Sequence, residues 1–162
     1  MEIQYTITEA DFVKGAKLCA AATKKQLILL SVVGLGFLLI GIFGPRSLKG
    51  MGFGGFFGGI IGYFIVLHII TPWNAKRNYK KYKSIQEPLK ISLIEEGFAI
   101  TASNGHCNVK WVNLLKWRED INYILVFFAP KMFYLVPKRI ADSGFDIVRF
   151  EQTLRDKLGN PI

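Results

Sequence analysis

Two stretches of this 162-residue chain lack charge altogether: 27–44 and 51–70 contain no Asp, Glu, Lys or Arg. A helix crossing a bilayer needs about 20 predominantly apolar residues to traverse roughly 30 Å of hydrocarbon. The second stretch has that length; the first reaches it if Gln26 and the neighbouring lysines extend to the interface. Other absences narrow the chemistry. Two cysteines, Cys19 and Cys107, provide neither a disulfide framework nor the four ligands of a structural zinc site. Only two histidines, His68 and His106, could serve as imidazole bases, and no G-x-S-x-G, phosphate-binding loop or H-E-x-x-H occurs. The expectation is a non-catalytic protein with no cofactor and no metal. The first 25 residues contain Glu2, Glu9 and Asp11, and no A-x-A-like site follows the first apolar stretch, which does not fit a cleaved secretory signal.

A formal charge of +9 and a pI near 9.6 would ordinarily point to nucleic acid. Its distribution points elsewhere. Residues 1–87 hold eleven basic and four acidic side chains, whereas residues 88–162 hold ten and eight. The surplus flanks the apolar stretches, as a membrane protein requires, and nucleic-acid binding is disfavoured. Lys14, Lys17, Lys24 and Lys25 precede the first stretch; Lys76, Arg77, Lys80, Lys81 and Lys83 follow the second; the intervening loop has only Arg46 and Lys49. The positive-inside rule then predicts a two-helix transmembrane hairpin over 26–73, multi-pass in the inner (plasma) membrane, with both termini cytoplasmic.

Pro72 and Trp73 are expected to close the second helix, with Trp73 at the interface. The basic juxtamembrane linker, 74–88, reads either as a surface for anionic lipid headgroups, through Lys76, Arg77, Lys80, Lys81 and Lys83, or as a generic stop signal. Gly54, Gly58 and Gly62 recur every four residues on one helical face, with Gly55 and Gly59 beside them. Small residues so spaced let helices approach closely. The partner is either the first helix, through Gly34 and Gly41, or a second copy in a homodimer. His68 is the one ionisable side chain within either stretch, and it stands one turn from Pro72.

Beyond Pro88 the apolar period changes to two. Leu89, Ile91 and Leu93 mark a strand, Glu95-Glu96-Gly97 a turn, and 98–103 a second strand. Asn104-Gly105 is a strong hairpin signal. A turn there sets Phe98 opposite Trp111, Ile100 opposite Val109 and Ala102 opposite Cys107, which assigns Cys107 to the core. Strands are predicted at 115–119, 123–128 and 132–136. A final helix carries Ile147, Phe150, Leu154 and Leu158 on one face, opened by Ser143-x-x-Asp146 and stopped at Gly159. At the other end Ile3, Tyr5 and Ile7 alternate as a strand, and Thr8-x-x-Asp11 opens a short helix. Residues 1–25 are thereby expected to join the domain of 89–162, with the hairpin inserted between them.

This order, with "TITEADF" at the start and "WVNLLKW" and "YLVPKRI" later, resembles the YcxB-like family of bacterial membrane proteins. Trp111, Pro137, Lys138, Arg139 and the aromatic strand 123–128 carry the likeness, which extends over nearly the whole chain. The resemblance implies a membrane α+β protein whose C-terminal part is a small antiparallel barrel or sheet domain, pleckstrin-homology-like, capped by a helix. It carries no established activity and no catalytic residue. The leading functional expectation is a membrane-anchored interaction module that binds a protein or an anionic headgroup, with Lys138 and Arg139 as candidates in the domain. Alternatives are an immunity protein or inhibitor against a membrane-acting toxin, or an accessory subunit of a membrane complex.

Overall fold

The computed structural model describes residues 2–103 and 105–162. It divides into two units. One comprises residues 1–19 with 74–162; the other is the segment 20–73 between them.

The first unit is built on two antiparallel sheets. Strands β1 (Glu2–Tyr5), β2 (Leu89–Ile94), β3 (Gly97–Ala102) and β4 (Gly105–Lys110) lie in sequence order in a four-stranded sheet. Strands β5 (Lys116–Glu119), β6 (Tyr123–Ala129) and β7 (Met132–Pro137) form a three-stranded one. The β1–β2 pairing matches Ile3 with Ile91 and Tyr5 with Leu89, across more than eighty intervening residues. Alternate positions of the first sheet, Ile3, Tyr5, Ile91, Phe98 and Val109, are buried, whereas in the second sheet Trp117 is joined by the consecutive run Ile124 to Phe127, so β6 is covered on both faces. Helix α5 (Ile147–Leu158) contributes Ile147, Phe150 and Leu154. Phe150 meets Phe98, Trp111 and Phe145 with ring centroids 5.6–6.1 Å apart.

Local signals place the turns. The Asp120 carboxylate accepts the N–H groups of Asn122 and Tyr123 at 2.8 and 2.7 Å, closing the β5–β6 turn. Lys131 takes a positive φ of 69° in the β6–β7 turn. Three expectations need correction. The β3–β4 register pairs Ala102 with Gly105, Ile100 with Cys107 and Phe98 with Val109, so every partner shifts by two from the expected pairing. (Asn104, half of the expected turn, lies outside the described residues.) A shift of two preserves which face each side chain occupies. Cys107 is nonetheless exposed, on the edge strand β4. At α5 the N-cap is Asp146, which accepts the Arg149 N–H at 2.9 Å, while Ser143 ends a preceding 3-10 turn closed by Gly144 at φ 96°.

Helix α1 (Glu9–Ala20) starts at the expected place. Thr8 and Asp11 cap it reciprocally: the Thr8 N–H donates to Asp11 at 2.8 Å, and the Asp11 N–H donates to the Thr8 hydroxyl at 3.2 Å. Gly15 sits where a Cβ would lie 3.0 Å from the Leu135 side chain, a tight approach that a larger residue would meet only if Leu135 shifted.

The second unit is a pair of helices. Helix α2 (Lys24–Phe43) opens on a capping box between Thr23 and Gln26. Only Gly44 and Pro45 separate it from α3 (Arg46–Ile65), so the expected loop of six residues is mostly first turn of helix. The pair is antiparallel: Gly34 faces Phe56, Gly41 faces Gly52, and the Ala22 N–H donates to the Tyr63 hydroxyl at 3.2 Å. Pro72 does not end the second helix. Residues Val66–Ile70 form a π-turn, with the Thr71 N–H bonded to Val66 O, and α4 (Thr71–Lys81) continues from it. The widened turn accommodates a proline ring that would clash with a regular α-turn. The segment from Arg46 to Lys81 is thus 36 residues of unbroken helix.

Candidate interaction surfaces

Lys24–Phe43 and Arg46–Lys81 are both long and apolar enough to cross a membrane, with mean hydropathies of 2.5 and 2.0 in their most apolar windows. Twenty residues at 1.5 Å per residue give α2 a length near 30 Å, about that of a hydrocarbon core. Their side chains are not hidden within the unit. Ile28, Leu29, Val32, Leu35, Phe57, Ile61 and Phe64 are each more than half exposed. In water each such residue would forgo about 1.5–3 kcal/mol of burial.

The glycines divide by role differently from the sequence expectation. A Cβ on Gly52 would run into the Gly41 backbone and lie 2.7 Å from Phe37 O, and one on Gly55 would lie 2.6 Å from the Phe37 ring. These two, with Gly34 and Gly41, make the contact between the helices. A Cβ added to Gly54, Gly58 or Gly62 would meet nothing within 4 Å, and these three face away from α2. Helical periodicity identified a glycine face; it could not say which of two adjacent faces the partner occupies.

Of the five basic residues beyond the apolar stretch, Lys76, Arg77, Lys80 and Lys81 lie on α4 and Lys83 opens a 3-10 turn, all exposed. Ala75 and Tyr79, one turn apart, form the opposite, packed side: the Tyr79 hydroxyl donates to Ile7 O at 3.0 Å, and its ring lies 6.1 Å from Phe12. Four of the five charges are therefore presented on a helical face rather than a loop. Lys76, Lys80, Lys81 and Lys83 meet no carboxylate among the described residues.

Lys138 and Arg139, in contrast, are already neutralised. Lys138 bridges Glu119 of β5 and Glu151 of α5 at 3.1 and 2.7 Å, and Arg155 also reaches Glu119 at 2.6 Å. Burial acts against the Lys138 charge, but the two carboxylates outweigh it and hold its pKa above the usual value. Arg139 grips both oxygens of Asp11 at 2.6 Å and bonds Thr6 O at 3.1 Å. Asp11 is buried and also accepts the Tyr123 hydroxyl at 2.8 Å. Burial would raise the Asp11 carboxyl; the bonds from Arg139, Thr8 and Tyr123 prevail and hold it well below the usual carboxylate range. Burial and the neighbouring Asp11 charge push Tyr123 up to about 12. The Arg118 guanidinium donates to Leu18 O at 2.6 Å and so closes the C-terminal end of α1. This polar network secures α1 to the strands at both ends and was not read from the sequence, because its partners lie about a hundred residues apart. The Thr8-x-x-Asp11 signal located one member and gave no sign of its second role.

The two histidines are separately engaged. His106 hydrogen-bonds Thr101 at 2.7 Å, while Ser103 donates to Glu87. His68 stacks on Phe64 with centroids 4.2 Å apart and contacts Phe64 O through Nδ1. Cys107 Sγ lies 4.0 Å from the Tyr134 hydroxyl, at the open end of β4.

Residues 95–154 match the YcxB-like protein family model. The YcxB-like segment takes in β3 to β7 and most of α5, including Trp111, Pro137, Lys138 and Arg139, and it bears out the resemblance over that part of the chain. It leaves out β1, α1 and both apolar helices. No curated protein and no solved structure matches the chain.

Proposed function

We propose that this is a multi-pass protein of the bacterial inner membrane in which α2 and α3 span the bilayer and the sheet unit is a cytoplasmic, non-catalytic interaction module. The observation that carries the reading is a contrast of exposure. A core helix of a soluble domain buries its apolar residues; the most apolar windows of these two helices are 6 % and 0 % buried. Removal of α2 as a signal sequence would also take away β1, whose ladder with β2 completes the first sheet. The surplus of lysine and arginine at the outer ends of the pair supports cytoplasmic termini. Four strands, three strands and a closing helix support a pleckstrin-homology-like reading of the sheet unit.

The ligand surface best supported is the basic face of α4, directed at anionic headgroups. Lys138 and Arg139 hold the fold through their carboxylate partners, so they are not assigned to ligand. Each lysine of α4 held near an anionic surface contributes on the order of 1 kcal/mol, and salt screens it. The full chain reconstituted in vesicles tests this. Phosphatidylglycerol is expected to protect Lys76, Lys80, Lys81 and Lys83 from an amine-reactive reagent relative to phosphatidylcholine, with protection lost at high salt. Equal labelling in both lipids would contradict headgroup binding.

A further inference from the structure

The helix pair contains a cleft of about 370 Å³ running along one side of the α2–α3 contact. Leu27, Leu30 and Gly34 of α2 and Gly59, Ile60 and Tyr63 of α3 are among its walls. From Leu27 to Phe37, ten residues of helix, it extends about 15 Å. A Cβ added to Gly59 would meet nothing within 4 Å, so the missing side chain leaves space without serving the contact between the helices. The mouth differs in character from the walls. Three and two residues before Leu27 stand Lys24 and Lys25, both exposed, in the first turn of α2. The capping box occupies Thr23 and Gln26, and the Tyr63 hydroxyl takes the Ala22 N–H. Those contacts fix the α2 entry against α3 at the end where the cleft begins.

We propose that this cleft binds one anionic phospholipid, with an acyl chain along the apolar walls and its phosphate beside Lys24 and Lys25. Apolar walls of this length suit a hydrocarbon chain. The positive end of the α2 dipole and two lysines suit a phosphate and disfavour a zwitterionic or cationic headgroup. The proposal rests on the reading of α2 and α3 as membrane spans and adds a specific lipid site to it. The site is separate from the basic face of α4.

The test uses the full chain, reconstituted with equal phosphatidylglycerol and phosphatidylcholine, then released into mild detergent for native mass spectrometry. The wild type is expected to retain one phosphatidylglycerol in preference to phosphatidylcholine. Gly59→Leu fills the cleft and should abolish retention. Gly58→Leu adds the same volume on the open face and should leave it unchanged, which controls for loss of folding. Lys24→Gln with Lys25→Gln should weaken retention about tenfold while the chain stays membrane-integrated. Equal retention in wild type, Gly59→Leu and Gly58→Leu would mean annular lipid only and overturn the proposal. So would conversion of a dimer to a monomer by Gly59→Leu without change in bound lipid, which would assign the cleft to a second copy. Resistance to carbonate extraction, measured on the same samples, reports the membrane reading by itself: a chain that carbonate strips from vesicles overturns that reading and the cleft with it, whereas a chain that stays but holds no preferred lipid overturns the cleft alone.

Discussion

Ile124, Leu125 and Val126 of β6 are fully shut away from solvent, whereas Ile28, Leu29 and Leu30 of α2 are each more than half exposed. The residues are of the same kind, and the difference lies in what covers them. Strand β6 is central in its sheet, flanked by β5 and β7 and packed within the aromatic core around Phe150. Helix α2 has one narrow contact, built on glycine, and shows the remainder of its surface to its surroundings. One unit makes its own interior. The other, on the proposed reading, has hydrocarbon as its solvent.

The largest expected effect separates the two units directly. Phe150→Ala opens the centre of the sheet unit and should lower its stability by about 3–5 kcal/mol. Leu29→Ala, an equally apolar truncation, should change the stability of the helix pair by no more than about 0.5 kcal/mol. Denaturant titration in micelles, following near-ultraviolet dichroism, measures both. Charge should reverse the ranking: Leu35→Arg, near the middle of α2, is expected to raise the cost of insertion by about 2.5–3.5 kcal/mol, read in a translocon insertion assay.

Next in size is the polar network. Asp11→Ala leaves the buried Tyr123 hydroxyl without its acceptor and removes the Arg139 bridge, an expected loss of about 2–3 kcal/mol from the sheet unit. Because folding lowers the Asp11 pKa, the stability it provides is complete above the ordinary aspartate value near 4 and declines as pH falls below it. Unfolding midpoints taken between pH 7 and pH 3 should drop more steeply in the wild type than in Asp11→Asn. The smallest effect sharpens the division among the glycines. Gly52→Ala pushes on the Gly41 backbone and should destabilise the helix pair by about 1–3 kcal/mol. Gly54→Ala, on the open face, should be neutral or slightly stabilising because it removes backbone freedom from the unfolded chain.

Much of the fold was legible from residue patterns because its determinants are local. Period-two alternation located β2, short apolar runs bounded by turn residues located β6 and β7, and the apolar stripe of α5 located its buried face. Ile3, Tyr5 and Ile7 even indicated a strand able to join the later sheet, as β1 does. The misreadings arose where local signals compete or distance intervenes. Asn104-Gly105 set the expected β3–β4 pairing two residues off, yet the faces survived because a shift of two keeps each side chain on its face. Cys107 was placed in the core by alternation, which cannot distinguish an edge strand from a central one. Pro72 was read as a stop because nothing in the sequence announces the π-turn before it. Lys138 and Arg139 were read as ligand candidates because their acids, Glu119, Glu151 and Asp11, meet them only after folding. The basic face of α4 was visible in outline, and the structure adds that Ala75 and Tyr79 hold its back to the sheet unit.

The central claim is that the connection between α2 and α3 and the sheet unit lie on opposite sides of a bilayer. Site-directed labelling tests it most directly. In a background with Cys19 and Cys107 replaced by serine, Ser47→Cys at the helix connection and Asp156→Cys on α5 would be treated in intact cells with a membrane-impermeant maleimide. The expected result is labelling of Ser47→Cys in intact cells, and of Asp156→Cys only after the membrane is opened. Labelling of both in intact cells, or of neither before permeabilisation, would contradict it.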